Sequence, residues 1–286
     1  MTADTAGPEK YKRKQHHGAI HAEHRAVRLL TLGVRMSEDH ILTTRGLRRT
    51  FAGFTAVDGI DLNIARHSVH ALIGPNGAGK TTVFNLLTRF IAPTAGTIHY
   101  DGIDITRRQP AAIAQLGMVR SFQISAVFGH LTALENVRLG LQRRLGVSYH
   151  FWRSARVLDQ LNDEAVELLD SVGLADFADT PAVELAYGRK RALEIATTLA
   201  LDPKLMLLDE PTQGMGAEDV GRVGDLIKRI AAGRTVLMVE HNLSVVAKLA
   251  DRITVLNRGA VLAEGDYAEV SNNRDVRQAY MGTENA

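Results

Sequence analysis

Apolar and polar positions follow two different periods along this chain, and the places where the period changes mark its elements. From Ile41 to Leu47 and from Val57 to Ile64, alternating or β-branched apolar residues suit strands, with a turn over Phe51 to Phe54 between them. Val69 to Ile73 is a short continuous apolar run, and Thr97 to Tyr100, followed by Asp101-Gly102, reads as a strand ending in a turn. From Ala111 to about Ala200 the strand signals thin out. Leu158, Leu161, Ala165, Leu168, Leu169 and Val172 recur there at helical spacing, with Gly173 placed to end the helix. Helix–strand alternation resumes through Lys204 to Asp209, Thr235 to Glu240 and Ile253 to Leu256. The pattern predicts an α/β fold, a core sheet with a helical insertion at about 124–200. No internal repeat supports a second unit of the same kind.

Composition narrows the class without naming it. The 286 residues are 45% hydrophobic, enough to bury a core in one large domain or two small ones. Zero cysteines exclude disulfides and thiolate metal sites and fit a reducing compartment. No apolar run approaches the ~18 to 20 residues that cross a bilayer, and charges and histidines stand where a secretory signal needs an apolar centre, so a cytoplasmic location is expected. Charge is uneven. Residues 1–35 hold seven basic side chains against three acidic ones, a net +4, which leaves −2 for the rest of a chain of net +2. An acidic body argues against a broad nucleic-acid surface, and no nucleic-acid partner is expected. Residues 1–35 are read as a basic, disordered extension or an over-extended start with Met36 as initiator, and 36–286 as the working domain.

Two segments carry chemistry. Gly74-Pro75-Asn76-Gly77-Ala78-Gly79-Lys80-Thr81-Thr82 fits the phosphate-cradling pattern G-x-x-x-x-G-K-[ST] at every fixed position, after an apolar strand. Its glycines let successive N–H groups face one anion, at which the following helix also aims the positive end of its dipole. Lys80 would neutralise the β and γ phosphates, the Thr81 hydroxyl would ligate Mg²⁺, and Thr82 would bond a phosphate oxygen. Leu205 to Leu208 then form a buried strand that delivers Asp209 and Glu210 to its C-terminal end, where ligands gather in open α/β sheets. Asp209 is expected in the Mg²⁺ shell and Glu210 beside the water that attacks the γ-phosphate.

Further segments appear in an order that resembles the nucleotide-binding domain of ABC transporters over residues 41–282. Gln123, in Arg120-Ser121-Phe122-Gln123, sits at the family's Q-loop glutamine; Leu185-Ala186-Tyr187-Gly188-Arg189 occupies the signature position; His241 stands at the switch histidine; and Phe51 fits the aromatic that stacks on adenine. The resemblance implies a P-loop NTPase core sheet of the ABC ATPase type with an inserted helical subdomain, and ATP and Mg²⁺ as cofactors. It implies that two such domains meet head to tail, each ATP lying between the phosphate loop of one and the signature of the other, so that ATP favours the closed pair. Gln123 would then report the γ-phosphate to a transmembrane subunit and join Thr81 and Asp209 at Mg²⁺, and His241 would orient the water. Gly188 permits close approach at the signature helix. Two departures qualify the match: the signature serine is Ala186, without a hydroxyl for ATP, and Gln213-Gly214-Met215-Gly216 replaces the usual aspartate loop.

Within that family, Leu185 to Gly188, Leu193-Glu194-Ile195-Ala196, Val239-Glu240-His241-Asn242, Asn272 to Val276 and Ala279 to Gly282 resemble the ATP-binding subunits of importers for branched-chain amino acids and related amides. Such a subunit is expected to work on the inner face of the membrane with a second ATP-binding subunit, two permease subunits and, indirectly, an external solute-binding protein. The competing readings are the ATPase of a lipopolysaccharide exporter and an ABC ATPase acting on nucleic acid.

Overall fold

Strand β1 (His40–Phe51) turns into β2 (Phe54–Ile60) through Ala52 and Gly53, whose φ angles of +42° and +89° put both central residues in the positive region a two-residue hairpin requires. The computed structural model describes residues 39–121, 127–143 and 160–281, so the expected N-terminal extension and Leu158 lie outside the described residues. The stretch Val57 to Ile64, expected as one strand, divides: β2 stops at Ile60 and β3 (Asn63–Ala65) pairs separately with β1. The buried Thr44 makes that break possible, since its Oγ1 donates to Ile60 O (2.9 Å) and accepts from Leu62 N (2.9 Å) where ladder bonds are lost.

Beyond these lie β4 (Val69–Ile73), α1 (Lys80–Leu87), β5 (Ala95–Tyr100), β6 (Ile103–Asp104), α2 (Pro110–Gln115) and β7 (Met118–Ser121). Strand β7 falls where strand signals had thinned, because only Met118 and Val119 are apolar. Its Arg120 and Ser121 are buried or half-buried polar residues at the strand end. Between β7 and the next strand the described elements are helical: α3 (Ala133–Gln142), α4 (Asn162–Ser171) and α5 (Tyr187–Leu199), with two short 3₁₀ turns. A reciprocal box of Thr132 and Glu135 caps α3. Gly173, at φ +73°, ends α4: its N–H bonds Asp170 O and the Leu174 N–H bonds Leu169 O, the paired closure that a left-handed residue permits.

The chain continues through β8 (Leu205–Asp209), α6 (Ala217–Ala231), β9 (Thr235–Val239), α7 (Leu243–Leu249), β10 (Arg252–Asn257), β11 (Ala260–Gly265), α8 (Tyr267–Asn272) and α9 (Arg274–Met281). Six strands form a sheet in the order β11-β10-β4-β9-β8-β7, parallel except for β11; β2-β1-β5-β6, with β3 on β1, make an antiparallel sheet. Register places Leu72 opposite Val239, and Val239 opposite Asp209, so β4, β9 and β8 end level with one another.

Both faces of the parallel sheet are covered, which is why its central strands β8 and β9 read as nearly unbroken apolar runs. Ala71, Met206, Leu208 and Met238 join the cluster formed with helices α3 to α7. Leu72, Leu207, Leu237 and Val239, one residue out of phase, join the cluster containing Phe84 of α1 and Leu42 of β1. A single-residue slip would exchange the two sets, so the loops leaving the sheet start from fixed positions.

Candidate active site

The loop from Gly74 to Gly79 leaves β4 and opens α1. Gly74, Gly77 and Gly79 have φ of +149°, +78° and +102°. At two of them space as well as φ requires glycine: a Cβ would lie 2.2 Å from Leu256 O at Gly74 and 2.6 Å from Ala56 O at Gly79. Ala78 is buried and its carbonyl accepts from Gly259 N–H (3.0 Å), which anchors the loop, while Asn76 and Gly77 are exposed and Pro75 is half-buried. No side chain caps the start of α1, so its first N–H groups are left for an anion. Lys80 Nζ donates to Gly74 O (2.7 Å) and Pro75 O (3.0 Å) across the loop. Burial lowers the Lys80 pKa against the opposing pull of Glu210 and Asp209. Thr81 is exposed and Thr82 half-buried on the next positions of α1. Ala56 carries the β1–β2 hairpin against this loop, and at the hairpin tip Phe51 is 38% exposed with the Arg49 guanidinium 4.4 Å from its ring centroid.

Two strands from β4, across β9, Asp209 at the end of β8 is only 1% exposed. Its Oδ2 accepts from Arg120 Nη2 at 2.5 Å, Arg120 Nη1 donates to Asn85 Oδ1 (2.6 Å), and Asp209 Oδ1 is buried without a hydrogen-bond partner. Glu210 holds a φ of +47°, uncommon outside glycine, with its N–H on Val239 O (2.9 Å). Its Oε1 accepts from His241 Nε2 at 2.6 Å, and its Oε2 too is buried and unpartnered. Each of two neighbouring carboxylates therefore spends one oxygen on a cationic or ring donor and holds the other bare, an arrangement that costs free energy unless something binds there. The donor set fits Mg²⁺, which takes oxygen ligands from one or two side chains and completes its shell with water and substrate phosphate. Asp209 Oδ1 and the Thr81 hydroxyl are oxygen groups that could serve as such ligands, and among the described residues no three acidic or histidine side chains form a cage of their own. Gln123 lies outside the described residues.

The signature segment opens α5, the helix that also carries Arg191. Ala186 is the exposed N-cap residue of α5 and makes no side-chain cap, as the missing hydroxyl dictates. The exposed Tyr187, next to Ala186, donates from its hydroxyl to Gln213 O (3.1 Å), which ties the signature segment to the Gln213–Gly216 loop. A Cβ at Gly188 would lie 2.8 Å from the Asp219 carboxyl carbon on α6, a contact that the Asp219 side chain can relieve by moving.

The structure brings Lys80, Asp209, Glu210 and His241 to one edge of the sheet and adds residues the motifs did not single out. Arg120 and Arg191 hold Asp209 by its carboxylate and by its carbonyl, the latter at 2.9 Å from Arg191 Nη2. Glu240 receives hydrogen bonds from the Thr212 and His241 backbones. Tyr280 of α9 accepts from the Gly74 backbone, and burial pushes its phenol up to about 12. The only prior signal for these was a polar residue at an apolar-flanked position: Arg191 before Ala192-Leu193, and Arg120 after Met118-Val119.

Comparison with known proteins agrees with this geometry. Residues 57–213 match the family model described as ABC transporter, and residues 260–286 match that of the branched-chain amino acid ATP-binding cassette transporter. The high-affinity branched-chain amino acid transport ATP-binding protein BraF of Pseudomonas aeruginosa is 38% identical over 252 residues, which cover 85% of this chain and 98% of that protein. Its counterpart LivG of Salmonella typhimurium is 36% identical over 249 residues, 85% of this chain and 98% of that protein. A crystal structure of an ATP-binding cassette of an ABC transporter in its ADP conformation superposes with a TM-score of 0.75 at 28% identity, covering 85% of this chain and 99% of that one.

Proposed function

Because this chain belongs to the ATP-binding family of ABC transporters, whose members hydrolyse ATP to power transport, we propose that it drives an importer of branched-chain amino acids or related amides. The convergence of Lys80, Asp209 and the Glu210–His241 pair at one sheet edge supports the catalytic part of this reading. The match of residues 260–286 to the branched-chain model, and the names of the relatives, support its solute class.

In this reading the N–H groups around Gly77 to Lys80 and the Lys80 ammonium hold the β and γ phosphates, and adenine stacks on the exposed Phe51. Thr81 and Asp209 would hold Mg²⁺, which when bound would neutralise charge that develops on the phosphates. Glu210 accepts a proton from the attacking water, and His241, hydrogen-bonded to that carboxylate, fixes its direction. The Ala186–Gly188 segment faces the nucleotide of a second ATP-binding subunit, identical or related, across a head-to-tail pair. Two permease subunits recruit the pair to the inner face of the membrane; among the described residues no helix is long and apolar enough to cross it. An external solute-binding protein delivers the solute. Residues 1–35 are an extension outside the catalytic domain 36–286.

Two measurements test the reading. Lys80→Ala should abolish ATP binding and turnover, because the triphosphate loses the one point charge of a loop otherwise built from backbone donors; undiminished turnover would refute the site. Affinity purification from the native cell should recover two hydrophobic permeases, whereas recovery of lipid-export components or nucleic acid would refute the transport assignment.

A further inference from the structure

Glu240 is the first residue after β9 and is 3% exposed, yet among the described residues its carboxylate pairs with no cationic side chain. Both oxygens are instead taken up by donors from two loops. Oε1 accepts from Thr212 N (3.0 Å) and Thr212 Oγ1 (2.7 Å), on the loop that follows β8. Oε2 accepts from His241 N (3.0 Å) and Asn242 N (3.2 Å), on the loop that follows β9. Those two loops also carry Glu210 and His241, whose side chains meet at 2.6 Å. Capping of α7 does not explain the arrangement, because Asn242 Oδ1 already accepts from Ser244 N (3.1 Å) and Val245 N (3.3 Å).

We propose that Glu240 is a positioning residue for hydrolysis, an all-acceptor clasp that holds the Glu210 loop and the His241 loop in the register at which their side chains meet. The inference rests on the roles proposed above for Glu210 and His241. An ionised carboxylate is acceptor-only, so it can serve donors on both sides, whereas an amide of the same shape must turn its NH₂ either toward the His241 and Asn242 N–H groups or toward the Thr212 N–H, where the Thr212 hydroxyl alone can accept from it. Glu240→Gln therefore opens one half of the clasp without changing volume. Misplacement of a catalytic group by about 1 Å can cost on the order of 100-fold in rate while leaving ground-state binding alone.

The test compares ATP affinity and turnover of the full-length chain with those of Glu240→Gln, His241→Ala, the double variant and, as a control, Glu210→Gln. Glu240→Gln should lower kcat by roughly 10- to 100-fold with the ATP Kd within about twofold of the parent. In the His241→Ala background the same change should lower kcat much less, since the partner it positions is gone. Equal losses in both backgrounds, an unchanged kcat, or a parallel loss of affinity and turnover would each overturn the proposal. If Glu240→Gln does not fold, Thr212→Val, which removes one donor and keeps shape, decides: a several-fold fall in kcat at constant Kd supports the clasp, and parental kcat overturns it. A Glu210→Gln protein that keeps parental turnover would refute the underlying site instead, which separates the two failures.

Discussion

Gly74 and Gly77 stand three residues apart in one loop yet resist substitution for different reasons. Gly77→Ala meets open space and carries only the penalty of a left-handed φ of +78°, about 1–2 kcal/mol. Gly74→Ala puts a Cβ 2.2 Å from the Leu256 carbonyl, so the loop has to move. Nucleotide binding by Gly77→Ala should weaken modestly and that by Gly74→Ala collapse, as isothermal titration would read; equal effects would show that φ alone governs the loop. For Phe51→Ala, loss of the stacking face should weaken ATP binding by roughly 1–3 kcal/mol, by analogy with base–aromatic stacking, and spare the chemistry. Glu210→Gln should bind ATP and lose turnover by roughly 10²- to 10⁴-fold, the usual worth of general-base assistance. Accumulation of an ATP-bound dimer in size-exclusion chromatography would accompany it, and parental turnover would remove Glu210 from its role.

Strand β4 carries the phosphate loop at one end and a buried titratable group near the other. His70 is 1% exposed, its Nε2 lies 2.8 Å from Thr254 Oγ1 on β10, and Thr254 in turn donates to Glu264 (3.1 Å), which is paired with Arg252. Burial lowers the His70 pKa from 6.5 to about 4, Glu264 opposing the shift and Arg252 reinforcing it. The folded value lies below the unfolded one, so between pH 6.5 and 4 the unfolded chain binds the proton more readily and stability falls as pH falls. Integrated over the window, the loss is about 3 kcal/mol at 1.36 kcal/mol per pKa unit, and only a small part of it is felt at pH 7. Urea midpoints at pH 7 and pH 4.5 should therefore differ less for His70→Gln than for the parent. An identical difference in the two proteins would mean that His70 does not titrate with folding.

At the scale of the molecule, His40–Ala286 form a unit of their own, and deleting residues 1–35 should leave the melting temperature and ATP turnover nearly unchanged; a drop of several degrees would place part of that segment in the fold. Much was legible beforehand because it is local. The Gly74–Thr82 pattern needs only neighbouring residues to form its turn, and Leu205 to Asp209 declares itself by apolar composition followed by two carboxylates. Strand β7 was not legible, since Arg120 and Ser121 spend half of a four-residue strand on the site. Nor was the break at Ile60, which depends on a Thr44 hydroxyl 16 residues away. Sequence by itself determined which residue types could hold a phosphate, a cation and a water, because those demands are met by side-chain chemistry and by spacing along one backbone. Only the tertiary structure decided that Asp209 leaves one oxygen bare between Arg120 and the sheet edge, that Tyr187 meets Gln213, and that Glu240 clasps two loops. Each of these depends on strand order and register, which bring together residues separated by 26 to 89 positions, and no local pattern encodes such a distance.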